Sequence, residues 1–176
     1  MSLVAPVDSL VSLGDSMSST SLILAGTGHR PPKLGGYSDA TFTALRSLAG
    51  TALTEIKPTT VISGMALGWD QALALAALDL GIPLIAAVPF KDQESMWPAA
   101  SQAQFRAILA RASKVNVVCD GGYAAWKMQR RNERMVDQCH VLLALWDGSS
   151  GGTGNCIRYA QSVNRRIVNL WSRWGV

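Results

Sequence analysis

Residues 140–163 read HVLLALW, DGSSGGTGN and CIRYAQSV in succession. After His140 the first segment is an unbroken apolar run of strand length, the next nine residues are mostly small and polar, and the last eight resume a helical pattern. A strand that is apolar at consecutive rather than alternate positions suits a sheet covered on both faces. The same unit recurs upstream. SLILAG (21–26) precedes a helix, capped by Ser38 or Asp39, in which Phe42, Leu45, Leu48, Ala52, Leu53 and Ile56 fall at helical spacing. TTVIS (59–63) precedes WDQALALAALDL (69–80), which stops at Gly81-Ile82-Pro83. IPLIAAVPF (82–90) precedes a helix near Trp97 to Arg111, KVNVV (114–118) one near Ala124 to Gln138, and RIVNL (166–170) makes a sixth strand. Strands alternating with helices of this length predict an α/β fold: a doubly wound, mostly parallel sheet of about six strands with helices on both faces.

The 176 residues favour one domain over 20–176, after a Ser-rich stretch, 1–19, that reads as a flexible leader. With 48% apolar and 16% charged residues, the composition argues against disorder. The longest nearly apolar stretch, Ala72 to Phe90, is interrupted by Asp79 and by Gly81-Ile82-Pro83, so no membrane helix is expected. The N-terminus lacks the basic region of a secretory signal. Cys119, Cys139 and Cys156 have neither zinc nor disulfide spacing and read as thiols in a reducing cytoplasm. His29 and His140 lie too far apart in sequence to suggest a metal pair, and no cofactor is expected. Residues 1–88 carry a net charge of −2 and residues 89–176 one of +6. That asymmetry reads either as a basic surface or as an anionic ligand held by the second half.

In parallel sheets ligands bind outside the carboxyl ends of the strands, where the strand order reverses. Three loops at that edge are candidates: Gly26-Thr27-Gly28-His29-Arg30, Ser63 to Asp70 with Gly64 and Gly68, and Gly148-Ser149-Ser150-Gly151-Gly152-Thr153-Gly154-Asn155. Glycine lets backbone amides approach an anion, and each loop runs toward a helix N-terminus, where free N–H groups favour phosphate. Each glycine loop also reads as a helix cap or tight turn. None matches GxxxxGK[ST], and none is a clean GxGxxG with its later acidic residue, which disfavours a P-loop ATPase and a dinucleotide oxidoreductase. On the helix before strand five, Arg131 and Asn132 flank the inward stripe of Met128, Met135 and Cys139 and are candidate ligand contacts. Arg131 reads equally as a structural arginine reaching a strand-end carbonyl or carboxylate. In Pro89 to Trp97, Phe90 and Trp97 are candidates to stack on a base, and Glu94 or Asp92 to act as an acid or base. The plainer reading makes Trp97 a staple for the helix that follows.

These segments resemble the SLOG superfamily, Rossmann-like domains shared by Smf/DprA DNA-processing proteins and LOG phosphoribohydrolases, and within it the YpsA-like branch. The resemblance is carried by GTGHRPPKLGGY (26–37), SGMALGWD (63–70), PFKDQESMW (89–97), RNERMVD (131–137) and GSSGGTGN (148–155). It spans nearly all of the chain after the leader. LOG enzymes cleave the N-glycosidic bond of nucleoside 5′-monophosphates with an Arg in M-x-x-R-K-x-x-M and a Glu in PGGxGTxxE. Met128, Arg131 and Met135 match the first motif, with Asn132 in the Lys position. In the second, Trp146-Asp147-Gly148 replaces the Pro-led start and Cys156 falls where the Glu belongs. The resemblance therefore implies either lost chemistry or a carboxylate supplied elsewhere, by Glu94 or Asp70.

The resulting expectation is a protein that binds a nucleotide or nucleotide-derived phosphate ester, as a sensor or sequestering protein. The alternatives are an N-glycosidase using Arg131 with Glu94 or Asp70, and a single-stranded DNA binder. Mixed charge around Arg130 and Arg134, with Glu133 and Asp137 beside them, disfavours nucleic acid as the main partner. A homodimer or higher homo-oligomer is compatible with the sequence, and a membrane partner is not expected.

Overall fold

A computed structural model describes residues 20–175, so the leader expected over 1–19 lies outside the described residues. One sheet holds β1 (Ile23–Gly28), β2 (Thr60–Ser63), β3 (Leu84–Val88), β4 (Lys114–Val117), β5 (Val141–Leu145) and β6 (Arg166–Asn169). All pairings are parallel, in the order β4-β3-β2-β1-β5-β6. Five α-helices connect the strands: α1 (Asp39–Ile56), α2 (Trp69–Asp79), α3 (Ala99–Arg111), α4 (Ala125–Gln138) and α5 (Gly152–Ser162). The expected α/β architecture is thus present.

The strands' two-residue period divides the core into two layers. Leu24, Leu143 and Leu145 face one layer with Leu45, Leu53, Trp69, Leu73, Phe105 and Ile108, contributed by α1, α2 and α3. Ala25, Leu142 and Ala144 face the other, with Met135 and Val136 of α4 and Cys156, Ile157 and Ala160 of α5. Every residue of β5 is buried, which is why its sequence is apolar without alternation. Ser38 caps α1, its Oγ accepting from the Thr41 amide at 3.1 Å. Helix α3 starts at Ala99, two residues later than the pattern predicts, because Pro98 stands before it with extended backbone.

β1 pairs with β5 over five residues, Leu24 with Val141 through Gly28 with Leu145. From β1 the chain proceeds through β2 and β3 to β4 at one edge, and α4 carries it back across the opposite face to β5. The loops leaving β1 and β5 therefore diverge to opposite faces, and a crevice opens between them at the carboxyl edge.

Candidate functional site

The crevice is a cleft of about 510 Å³ bounded by the β1 loop, the N-terminal end of α2, the middle of α4 and the start of α5. It gathers most of the expected contacts. Thr27, Gly28, His29 and Arg30 line it from the β1 side, and Ser150, Gly151, Gly152 and Thr153 from the β5 side. Asp70, Arg131 and Asn132 form the wall between them. Gly151 has φ +135° and opens directly into α5, so the free amides of the first helical turn border the cleft.

Arg131 is 5% exposed and reaches across from α4 to the β2 loop. Its Nη1 donates to the Gly64 carbonyl and its Nε to Asn132 Oδ1 at 2.9 Å. It therefore reaches a strand-end carbonyl, as the structural reading expected, and its side chain also lines the cleft. Gly64 permits that approach, since a Cβ there would lie 2.6 Å from Nη1. Asp70, 6% exposed, sits in the first turn of α2. Its Oδ2 accepts from the Ala66 amide at 3.3 Å, and its Oδ1 is buried without a partner among the described residues. Burial raises the Asp70 pKa, partly offset by Arg131, the Ala66 amide and Arg30. Burial likewise lowers the pKa of Arg131, and Asp70 opposes the shift.

The β1 and β5 loops are joined by a polar clasp. His29 Nε2 lies 2.7 Å from Asp147 Oδ1, and the Ser149 amide and hydroxyl donate to the same oxygen at 2.8 and 2.5 Å. These donors hold the Asp147 carboxyl well below the usual carboxylate range, the Ser149 hydroxyl most strongly. The Asp147 amide also faces His29 Nε2, at 3.2 Å, so the residue meets the imidazole through both its backbone and its side chain. Lys33 Nζ donates to Ser149 Oγ from the β1 side. The β1 loop also touches the β2 loop, the Trp69 amide donating to the His29 carbonyl at 3.3 Å. Gly68, at φ +92°, makes room for that contact, since a Cβ would lie 2.8 Å from the same oxygen.

Other candidates lie outside the cleft. The Ser63 hydroxyl is fully buried, donating to the Asp70 carbonyl at 2.8 Å and accepting from the Met65 amide at 3.1 Å. Glu94 is buried against Arg106, Oε1 to Nε 3.2 Å. Phe90 packs edge-on to Tyr123, and Trp97 edge-on to Phe105 of α3, the stapling role. Gly26 is buried within β1 and Gly64 and Gly68 serve the loop packing described above. Gly148 turns the β5 loop at φ +90°, Ser149 is held in the clasp, and Asn155 accepts from Arg158. Cys156 is fully buried and its thiol is pushed up to about 11 by that burial. Sequence reasoning missed Lys33 and Asp147 as parts of the site and assigned Met128 to the core, whereas Met128 lines the cleft. The first two had a local signal, being charged residues that directly follow or precede the candidate loops, Lys33 in the segment 26–37 and Asp147 at the head of DGSSGGTGN. Among the described residues no cluster of His, Cys, Asp and Glu suits a metal ion, and no helix is long and apolar enough to cross a membrane.

A parallel sheet with a glycine-lined cleft at its strand-order reversal defines a Rossmann-like α/β domain. Residues 24–166 match the model of the YspA SLOG family, and the chain belongs to that family. It is 35% identical over 118 residues to the uncharacterized SPbeta prophage-derived protein YoqJ of Bacillus subtilis strain 168, covering 58% of this chain and 69% of that one. Its fold is similar to that of DNA processing protein A (DprA) from Streptococcus pneumoniae, at TM-score 0.61 and 18% identity over 85% of this chain and 50% of that one. DprA from Helicobacter pylori, described for its single-stranded DNA binding mode, gives TM-score 0.61 and 18% identity, over 84% and 64% of the two chains. The chain thus spans half of the pneumococcal protein and under two thirds of the Helicobacter one.

Proposed function

We propose that the protein binds a nucleotide or nucleotide-derived phosphate ester in the cleft between the β1 and β5 loops, as a sensor or sequestering protein. The observation that carries this is convergence. Arg30, Lys33 and Arg131 line the same cleft as the N-terminus of α5, against a single carboxylate, Asp70. Cations and unpaired helix amides together favour a phosphate, and a 510 Å³ cleft has the volume of a small-molecule site. Arg30 and Thr153 are the preferred phosphate contacts. Ser63, whose hydroxyl is committed to the β2 loop, supports that loop instead.

Binding ranks above N-glycosidase activity because the position matching the LOG glutamate holds Cys156, a buried and neutral thiol. The hydrolytic reading keeps one specific support: Asp70 is a carboxylate in the cleft wall, whereas Glu94 is turned toward Arg106. Calorimetry of the folded chain against nucleoside mono- and diphosphates, cyclic nucleotides and ADP-ribose derivatives tests the ligand class. Chromatography of the same mixtures tests the chemistry. Binding without free base is the expected result. Release of base reverses the ranking toward hydrolysis. Silence across the panel, with tight and steeply salt-dependent binding of single-stranded DNA, replaces the proposal with the nucleic-acid reading.

A further inference from the structure

Asp70 and Arg131 share the cleft wall without meeting. Among the described residues the direct ion pairs are His29–Asp147, Arg46–Asp79, Arg106–Glu94 and Arg173–Glu55, and Asp70 is in none of them. Arg131 commits Nη1 to the Gly64 carbonyl and Nε to Asn132, which leaves Nη2 uncommitted. Asp70 commits Oδ2 to the Ala66 amide, while Oδ1 is buried with no hydrogen-bond donor among the described residues. A carboxylate oxygen withdrawn from solvent and left unpaired is unfavourable, so such an atom in a cleft wall marks a place for a ligand donor.

The chemistry of that donor is restricted. A phosphate is an anionic acceptor and is repelled by the carboxylate, so it belongs at the exposed end of the cleft, beside Gly151, Gly152 and Arg30. The buried end, at Asp70, suits a neutral group that donates to Oδ1, and one that also accepts can meet the neighbouring Arg131 guanidinium as well. A hydroxyl does both. The exocyclic amine of a base only donates.

Resting on the nucleotide reading above, we propose that Asp70 sets ligand specificity by accepting a hydrogen bond from a sugar hydroxyl. The cleft then takes ribonucleotides and rejects nucleotides that lack that hydroxyl. The test is calorimetric titration of the full chain with ribonucleoside 5′-monophosphates, their 2′-deoxy and 3′-deoxy counterparts, and inosine against adenosine monophosphate. The wild-type protein is expected to bind the ribonucleotide at least about tenfold more tightly than one of its deoxy counterparts, the loss expected for a hydrogen bond to a charged group. Inosine and adenosine monophosphates are expected to bind alike. In Asp70→Asn the ratio is expected to collapse toward one, through loss of the advantage that the ribonucleotide holds over its deoxy counterpart.

Equal wild-type affinity for the ribo, 2′-deoxy and 3′-deoxy forms overturns this inference and leaves the nucleotide reading standing. So does a preference that follows the base amine, or a ribo-to-deoxy ratio that survives in folded Asp70→Asn. Failure of folded wild-type protein to bind any nucleotide overturns both. The wild-type comparison decides the matter alone if Asp70→Asn does not fold.

Discussion

Asp147 receives hydrogen bonds from the Ser149 amide, the Ser149 hydroxyl and His29, all at one oxygen, Oδ1. Its carboxyl therefore titrates lower in the folded protein than in the unfolded chain. Below the ordinary aspartate value of about 3.9, the unfolded chain binds the proton first, so the contribution of this group is present above that pH and is lost as pH falls. Asp147→Asn removes the titration. Urea denaturation of both proteins at pH 7 and pH 3 is expected to show a wild-type advantage at pH 7 that shrinks at pH 3. An advantage that is constant across that range contradicts the assignment. Asp70 runs the other way. Its pKa is raised by burial, so its ionisation in the fold disfavours stability as pH rises from the unfolded toward the folded value.

At the scale of the element, α5 and α4 carry the site by different means. Helix α5 presents its N-terminus, opened by Gly151, with Thr153 in the first turn. A carboxylate placed there occupies the anion position and is also compatible with the helix dipole. Thr153→Glu is therefore expected to change stability by no more than about 1 kcal/mol while weakening nucleotide binding by at least about tenfold, read by thermal melting and calorimetry. Retention of wild-type affinity would remove α5 from the site. Helix α4 contributes side chains, Arg131 with Met128 and Asn132, and Arg131 was legible in the sequence because an arginine beside a buried stripe needs a partner. The loop after β3 was less so. Its position at the carboxyl edge is visible in the sequence, but the direction of its side chains depends on what packs beside them. Glu94 turns to Arg106 twelve positions later, and Phe90 and Trp97 turn to aromatic neighbours.

The whole molecule was readable to the level of its layers. Continuous apolar strands, the Ser38 cap and the glycine loops each have a local cause, and together they specify a parallel sheet covered on both faces. The strand order has no such local cause. That β5 returns beside β1, rather than extending the β4 edge, depends on burying the face that Met135, Val136, Cys156 and Ile157 share with Ala25 and Leu142. This return brings the β1 and β5 loops together and creates the His29–Asp147 clasp across 118 positions of sequence. Chemical-shift mapping of backbone amides is practical at 18.8 kDa and tests the central claim directly. On addition of a bound nucleoside monophosphate, perturbations are expected to cluster in residues 27–30, 64–70 and 150–154, on both sides of the β1–β5 crevice. Perturbations confined to the outer face of α4 around Arg130 and Arg134, with these loops unmoved, would contradict it.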